Sequence, residues 1–227
     1  MNGILLIDKD IDWTSFDCVA KVRSIIRSIE GKKVKVGHAG TLDPLATGLL
    51  IILVGSYTKK AEVLTKKDKI YEVGMQLGST STTGDLEGDI TKLSDKIPSL
   101  EGLELSINKF RGSISQIPPS YSAVKINGVR SYKLAREGRA VELKPREIKI
   151  DLITIDSYDY PDIKLTTHVS SGTYIRSLVS DIGSDLGTGA YATSIRRTSI
   201  DKFFISSAVK IDVLNKENIQ DYLITDL

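Results

Sequence analysis

Residues 36–48 read Val-Gly-His-Ala-Gly-Thr-Leu-Asp-Pro-Leu-Ala-Thr-Gly and run without a break into Leu49-Leu50-Ile51-Ile52-Leu53-Val54. The second part predicts an apolar strand. The first part has no clean period and carries three glycines and a proline, which predicts an ordered loop over Val36 to Gly48. Glycine lets the backbone of such a loop approach a ligand closely. Asp43 precedes Pro44, which pushes it toward an extended conformation and mounts it on a stiff support. Asp43 is therefore a candidate nucleophile or general base, and His38 a candidate polar or stacking contact. The plainer roles for the same residues are a turn brace and a satisfied core histidine.

Working outward, residues 3–9 read as a buried opening strand. Thr14 or Ser15 can cap a helix whose apolar positions Phe16, Val19, Val22, Ile26 and Ile29 recur at three and four, with Gly31 as its stop. Downstream, a helix is expected from Tyr57 to Leu64 and a strand from Lys69 to Leu77. The stretch Gly78 to Asp89 is polar and turn-rich. A short helix is expected near Ile107–Phe110, a stiff extended element at Pro118-Pro119, and a tight turn at Asn127-Gly128. Ser131 can cap a short basic helix that ends at Glu137-Gly138. Ile148–Ile155 and Lys164–Val169 read as two strands of one ladder, Tyr174 to Leu186 as a helix, and Tyr191 to Ile205 as further strand. A weak helix is expected near Lys216–Tyr222. Many strands with a few packed helices argue an α+β class.

The 227 residues, 41% hydrophobic and 6% aromatic, fit one globular domain over 1–227 with a real core. Cys18 is the single cysteine, so neither an intrachain disulfide nor a four-thiolate zinc site is available. The start of the chain reads as no leader, and the run Leu49 to Val54 falls far short of the roughly 20 residues that span a bilayer. These features predict a soluble, cytoplasmic protein. The net charge of +2 does not by itself mark a nucleic-acid binder, but the charge is unevenly spread. Ten Lys and Arg stand against three Glu between Lys109 and Lys149, a balance of +7, while Ser79 to Asn108 carries −4. A basic region after an acidic one suits a surface that meets a polyanion, and equally a solvated lysine-rich loop.

Two further stretches can carry chemistry. Ser170-Ser171-Gly172-Thr173-Tyr174-Ile175-Arg176-Ser177-Leu178 sits where a strand gives way to a helix. In an extended entry to that helix, Tyr174 and Arg176 flank one cleft, and Arg176 can pair with a carboxylate such as Asp43. In Lys69-Ile70-Tyr71-Glu72-Val73, Tyr71 is either half-buried packing or a ring presented to a flat ligand.

Taken together, these stretches resemble the TruB family of tRNA pseudouridine synthases. The run Lys35 to Gly48 resembles the family motif around its catalytic aspartate. Asp8-Lys9 with Trp13-Thr14-Ser15-Phe16-Asp17 looks like its opening segment. Lys69-Ile70-Tyr71, then Pro118-Pro119-Ser120-Tyr121-Ser122-Ala123-Val124-Lys125, then Gly172 to Leu178, and finally Arg196-Arg197-Thr198 match the remaining signatures in order.

The resemblance implies a pseudouridine-synthase fold, with a central, mostly antiparallel mixed sheet flanked by helices and the active cleft across its middle. It implies isomerisation of the uridine at position 55 in the tRNA T loop, with Asp43 as nucleophile, Tyr71 stacking on the flipped base, and Tyr174 and Arg176 as the active-site pair, Arg176 bridging to Asp43. It places His38 on the histidine that helps hold the T loop open and Lys59 on a phosphate or base contact. The basic stretch 109–147 corresponds to a thumb that grips RNA, with Lys125, Arg130, Lys133 and Arg136 as contacts. The tRNA T arm is then the partner, without an obligate protein partner. Isomerisation adds and removes no groups, so neither cofactor nor metal is expected, and a carboxylate can attack C1′ or C6 or assist loss of the base. The family usually continues into a small C-terminal domain, often of PUA type. This sequence stops at Leu227, so affinity is expected to rest on the thumb. It carries Val169-Ser170-Ser171 where many members have a cysteine. A guide-RNA-dependent synthase subunit and a tRNA-folding chaperone are the competing expectations, and Gly78 to Asp85 lacks the Gly-Lys-Ser/Thr core of a nucleotide-hydrolase loop.

Overall fold

A computed structural model describes residues 1–122, 124–126, 128–139 and 141–225. Asn127 of the expected Asn127-Gly128 turn, Ala123 of the Pro-Pro-Ser-Tyr motif and Ala140 of the basic stretch lie outside the described residues. The chain forms β1 (Gly3–Lys9), α1 (Ser15–Glu30), β2 (Val36–Ala39), β3 (Thr47–Val54), a 3₁₀ turn (Gly55–Lys60) and α2 (Ala61–Thr65). It continues through β4 (Lys69–Leu77), β5 (Ser79–Ser81), β6 (Ile90–Lys92), α3 (Leu100–Asn108), β7 (Gly112–Gln116), β8 (Lys125–Ile126) and β9 (Val129–Arg130). It ends with α4 (Ser131–Arg136), β10 (Arg146–Asp159), β11 (Asp162–Val169), α5 (Ile175–Leu186), β12 (Ala190–Ile200), β13 (Phe203–Phe204) and β14 (Val209–Lys210). The class is α+β, with mixed sheet flanked by helices. Contacts divide the chain into two compact units, residues 1–71 with 196–227, and residues 72–195; the chain passes from one to the other inside β4 and inside β12.

In the first unit the strand order is β14-β1-β3-β12. β1 runs antiparallel to β3 from Gly3↔Val54 to Lys9↔Gly48. The other edge of β3 is shared: β2 pairs with its second half and β12 runs parallel to its first two residues. Strand β3 is thus covered on both edges, and Leu49 to Val54 are completely buried, which is why the run is continuously apolar instead of alternating. Helix α1 packs on β2 and β3. Thr14 is its N-cap and forms a full capping box with Asp17, and Gly31 closes it in the left-handed conformation.

In the second unit the order is β12-β4-β11-β10-β7. β10 pairs antiparallel with both β11 and β7, and α3 packs against α5 and β10. The part of the basic stretch over residues 117–145 is inserted between β7 and β10, which are neighbours at Gln116↔Arg146. It contains the β8–β9 hairpin and α4.

The structure departs from the sequence reading at identifiable places. Val36 to Ala39 is not loop but strand, because the exposed edge of β3 supplies the hydrogen bonds that its glycine and histidine pattern did not advertise. The Tyr57–Leu64 helix is split: Gly55 at φ 62 and the Thr58 hydroxyl bond to the Gly55 carbonyl tighten its start into a 3₁₀ turn before α2. The helix expected near Ile107–Phe110 starts earlier, at Leu100, where Ser99 caps the Gly102 amide. Ser131 is the first helical residue of α4 and not its cap; its hydroxyl is turned to the Ser120 carbonyl. Residues 216–222 form turns, since Asn215 accepts from the Glu217 and Asn218 amides in place of helical carbonyls. Short strands β5 and β6 form a hairpin inside and just after the polar stretch. Phe16 and Ile29 lie off the buried face of α1, at 63% and 38% exposure.

Gly48 marks the tightest backbone contact in the first unit. Its φ is 99°, and a Cβ there would stand 2.3 Å from the Arg197 carbonyl oxygen. Gly48→Ala is expected to lower stability by roughly 2–4 kcal/mol in urea denaturation, from strain plus overpacking. Gly31→Ala, where φ is 64° and nothing lies within 4 Å, should cost only about 1 kcal/mol.

Candidate active site

Asp43 sits in the first unit on a tight turn closed by the Ala46 amide bonding the Asp43 carbonyl at 3.1 Å. Its neighbours are fixed on every side. Leu42 is held through both backbone groups by the buried Ser15 hydroxyl, at 2.8 and 3.0 Å. The Pro44 carbonyl accepts from the Asp12 amide and from the Lys9 ammonium, at 3.0 and 3.1 Å. Lys9 is completely buried and also bonds the Asp10 and Trp13 carbonyls. At the other end of the loop, buried Arg197 donates Nε to the Leu49 carbonyl at 2.7 Å and Nη2 to the Gly40 carbonyl at 3.1 Å. Burial pushes the Lys9 pKa down, and nearby negative groups, Asp43 among them, offset part of that. Arg196, next to Arg197, points the other way and pairs with both oxygens of Asp8. Burial pushes the Asp8 carboxyl up, but Arg196 and Lys210 outweigh it and hold the pKa below its ordinary value.

His38, on β2, keeps a buried Nδ1 without a hydrogen-bond partner. Burial and the Arg197 charge lower its pKa, so the ring is a neutral imidazole at pH 7. Lys69 is buried against the Thr65 and Lys67 carbonyls, and burial together with the Arg197 charge pushes it down to about 8. Tyr71, two residues along the same strand, is buried, and Lys59 is exposed on the 3₁₀ turn.

Tyr174 and Arg176 belong to the second unit. Tyr174 is the extended N-cap residue of α5, half-buried, and Arg176 is in the first turn of the helix and buried. The Arg176 guanidinium donates to the Thr83 carbonyl and to the Tyr121 carbonyl, each at 2.8 Å, and its Nε lies 3.4 Å from Asp85. Asp85 is buried and accepts from the Thr83 hydroxyl and the Glu87 amide. A cavity of about 220 Å³ opens beside this group, bounded by Thr82, Thr83, Ser120, Tyr121, Arg176 and Asp181. Burial pushes Asp181 up to about 6.

The insertion presents Lys125, Arg130, Lys133 and Arg136 as exposed side chains, Arg136 with its guanidinium 5.7 Å from the Tyr132 ring centre. Two buried residues around Arg176 and Tyr174 escaped the sequence reading. Asp85 sat in a stretch read as polar turn and weighed only as a weak phosphate loop; its one local signal is Gly84, which needs φ 78 and leaves Arg176 Cβ 3.4 Å from where its own Cβ would stand. Gln116, 2% exposed, bonds the Tyr174 backbone and carried no pattern at all.

Residues 27–175 match the family model described as TruB family pseudouridylate synthase (N terminal domain). The chain is 44% identical to tRNA pseudouridine synthase B of Clostridium acetobutylicum over 224 residues, which covers 99% of this chain and 76% of that protein. It is 42% identical to tRNA pseudouridine synthase B of Pseudomonas fluorescens over 214 residues, 94% of this chain and 68% of that one. Among solved structures, the Cbf5-Nop10-Gar1 complex matches at 27% identity and a TM-score of 0.67. An H/ACA RNP bound to a substrate RNA containing 2′-deoxyuridine matches at 26% and 0.66. Each match covers 92% of this chain and about half, 54% and 51%, of the solved one.

The raised Asp181 pKa fixes a sign. Its folded value of about 6 lies above the ordinary 3.8, so the folded state binds the proton more tightly and stability falls as pH rises between the two. Asp181→Asn should therefore gain stability relative to the parent across that window, by at most about 3 kcal/mol, and hold the gain at pH 7. Urea denaturation at several pH values reads this; a difference that does not change with pH would contradict the burial of this carboxyl.

Proposed function

The chain belongs to the TruB family of pseudouridylate synthases, and on that footing we propose that it isomerises uridine to pseudouridine in tRNA, acting on the T-loop uridine at position 55. Net conversion breaks the N1–C1′ bond and joins C5 to C1′; the proton on C5 leaves to solvent and N1 takes one up. Asp43 is the nucleophile in this reading. The observation that carries it is the backbone around Asp43, held by Ser15, Lys9 and Arg197 while the Asp43 side chain is only partly buried. Such preorganisation fits a group that must meet a reacting atom without rearranging. Attack at C1′, attack at C6 and assistance to base departure share one need, an ionised carboxylate beside the nucleotide. Arg176 supplies the counter-charge in this reading, and Asp85, with the Thr83 and Tyr121 carbonyls, orients that guanidinium.

The target uridine lies inside a folded arm, so it must be flipped out, and Tyr71 gives a ring on which the extruded base stacks. His38, kept neutral by its surroundings, suits an uncharged contact with an RNA base, while exposed Lys59 and the basic side chains of residues 109–147 suit phosphates. The basic insertion thus acts as a thumb on the T arm. A cytoplasmic setting agrees with a single buried, unpaired cysteine and with the absence of any helix among the described residues long and apolar enough to cross a membrane. Identity is 44% to tRNA pseudouridine synthase B of Clostridium acetobutylicum against 27% to the Cbf5-Nop10-Gar1 complex, which supports tRNA as the substrate.

Tritium release from unmodified tRNA labelled at C5 of uridine tests the reading. The wild-type chain is expected to release label from the T-loop site, Asp43→Asn to release none, and both to bind tRNA with similar affinity. Product formation by Asp43→Asn would remove the nucleophile assignment; a wild-type chain that binds tRNA and releases nothing would favour a chaperone or guide-dependent role.

A further inference from the structure

The short stretch that leads into the basic insertion grips the start of α5 at several points. Gln116 is the last residue of β7, and its side chain is 2% exposed. Its amide faces the backbone of Tyr174 in both directions: the Tyr174 N–H donates to Oε1 at 2.8 Å, and Nε2 donates to the Tyr174 carbonyl at 3.1 Å. Just beyond, the Ile117 carbonyl accepts from the Ser177 hydroxyl at 2.9 Å, and the Tyr121 carbonyl accepts from Arg176 at 2.8 Å.

The reciprocal pair has a specific purpose. Tyr174 has an extended backbone, φ −100 and ψ 112, and caps α5 without any side-chain hydrogen bond of its own. An extended residue has its N–H and C=O directed outward, where a neighbouring strand would ordinarily meet them. The Tyr174 carbonyl accepts the first helical bond, from the Leu178 N–H at 3.1 Å, and the Gln116 amide meets the N–H and the same carbonyl where a neighbouring strand would. At neutral pH a carboxamide offers one donor and one acceptor in one plane at this reach. Burial of the amide makes both bonds costly to lose. The direction in which the Tyr174 ring leaves the backbone is thereby set from the root of the insertion.

We propose that Gln116 is a positioning residue for Tyr174, fixing its backbone so that the ring stands ready at the active site and tying that placement to the base of the RNA-gripping insertion. The inference rests on the reading of Tyr174 as an active-site residue.

Three variants of the full chain, measured for single-turnover tritium release, tRNA Kd and melting temperature, test it. Gln116→Leu keeps the volume and removes both bonds; it should turn over about 10- to 100-fold more slowly with Kd unchanged. Gln116→Glu reproduces both bonds only while protonated, because a carboxylic acid accepts from the Tyr174 N–H and donates to its carbonyl. Once ionised it loses the donor and repels the carbonyl. Its rate relative to wild type should therefore fall between about pH 5 and about pH 8. Ser177→Ala loses a bond to the same stretch without touching Tyr174 and should keep the wild-type rate. A wild-type rate for Gln116→Leu, a flat Gln116→Glu ratio across pH, or equal slowing of Gln116→Leu and Ser177→Ala would overturn the proposal. Should wild type itself release no tritium, the proposed function fails instead, and the two failures are told apart.

Discussion

Two completely buried cations, Lys9 and Arg197, hold the backbone from which Asp43 projects. Burying a charge is expensive unless its donors are satisfied, and here the partners are carbonyl oxygens: Asp10, Trp13 and Pro44 for Lys9, Gly40 and Leu49 for Arg197. The cost of desolvation and the irregular shape of the loop offset one another. A loop over Gly40 to Ala46 leaves carbonyls that no strand can pair, and the cations satisfy the ones that would otherwise be stranded in the core. This explains why the glycines fall where they do. Gly48 admits the Arg197 backbone at 2.3 Å from its missing Cβ, and Gly40 passes beside the Arg197 and Lys69 side chains. A larger residue would collide with the Arg197 backbone at Gly48 and would be strained at Gly40, where φ is 92°.

The second unit follows the same logic with different groups. Arg176 is anchored by two carbonyls and by Asp85, and Tyr174 by a side-chain amide, so both side chains stand on fixed backbone. Two of those anchors, Gln116 and Tyr121, belong to the chain entering the basic insertion. In the proposed function, an RNA contact made by that insertion would act on the same short stretch that holds Tyr174 and Arg176.

Much of the frame was legible because its signals are local. The helix cap read at Thr14 or Ser15, which the structure places at Thr14, the stop at Gly31, the apolar run of β3, the alternation of β11 and the apolar stripe of α5 each lie within a few residues of what they specify. Strand β2 was missed because its partner is an edge of β3 and its own residues show no alternation. Asp85 and Gln116 were missed for a related reason: each acts on a side chain or backbone far along the chain, Gln116 on a residue 58 positions away. The family motifs, by contrast, made Asp43, Tyr71, Tyr174 and Arg176 visible without any account of what holds them. The structure supplies that account for Asp43, Tyr174 and Arg176.

The claim on which the rest depends is that the buried cations hold the Asp43 turn in a reactive geometry. The direct test is the single-turnover rate of pseudouridine formation by Arg197→Lys at saturating tRNA, with tRNA Kd and melting temperature measured alongside. A lysine cannot reach both the Leu49 and Gly40 carbonyls that the guanidinium spans. The account predicts a rate slowed about tenfold or more with Kd unchanged. A folded variant of native stability that turns over at the wild-type rate would contradict it.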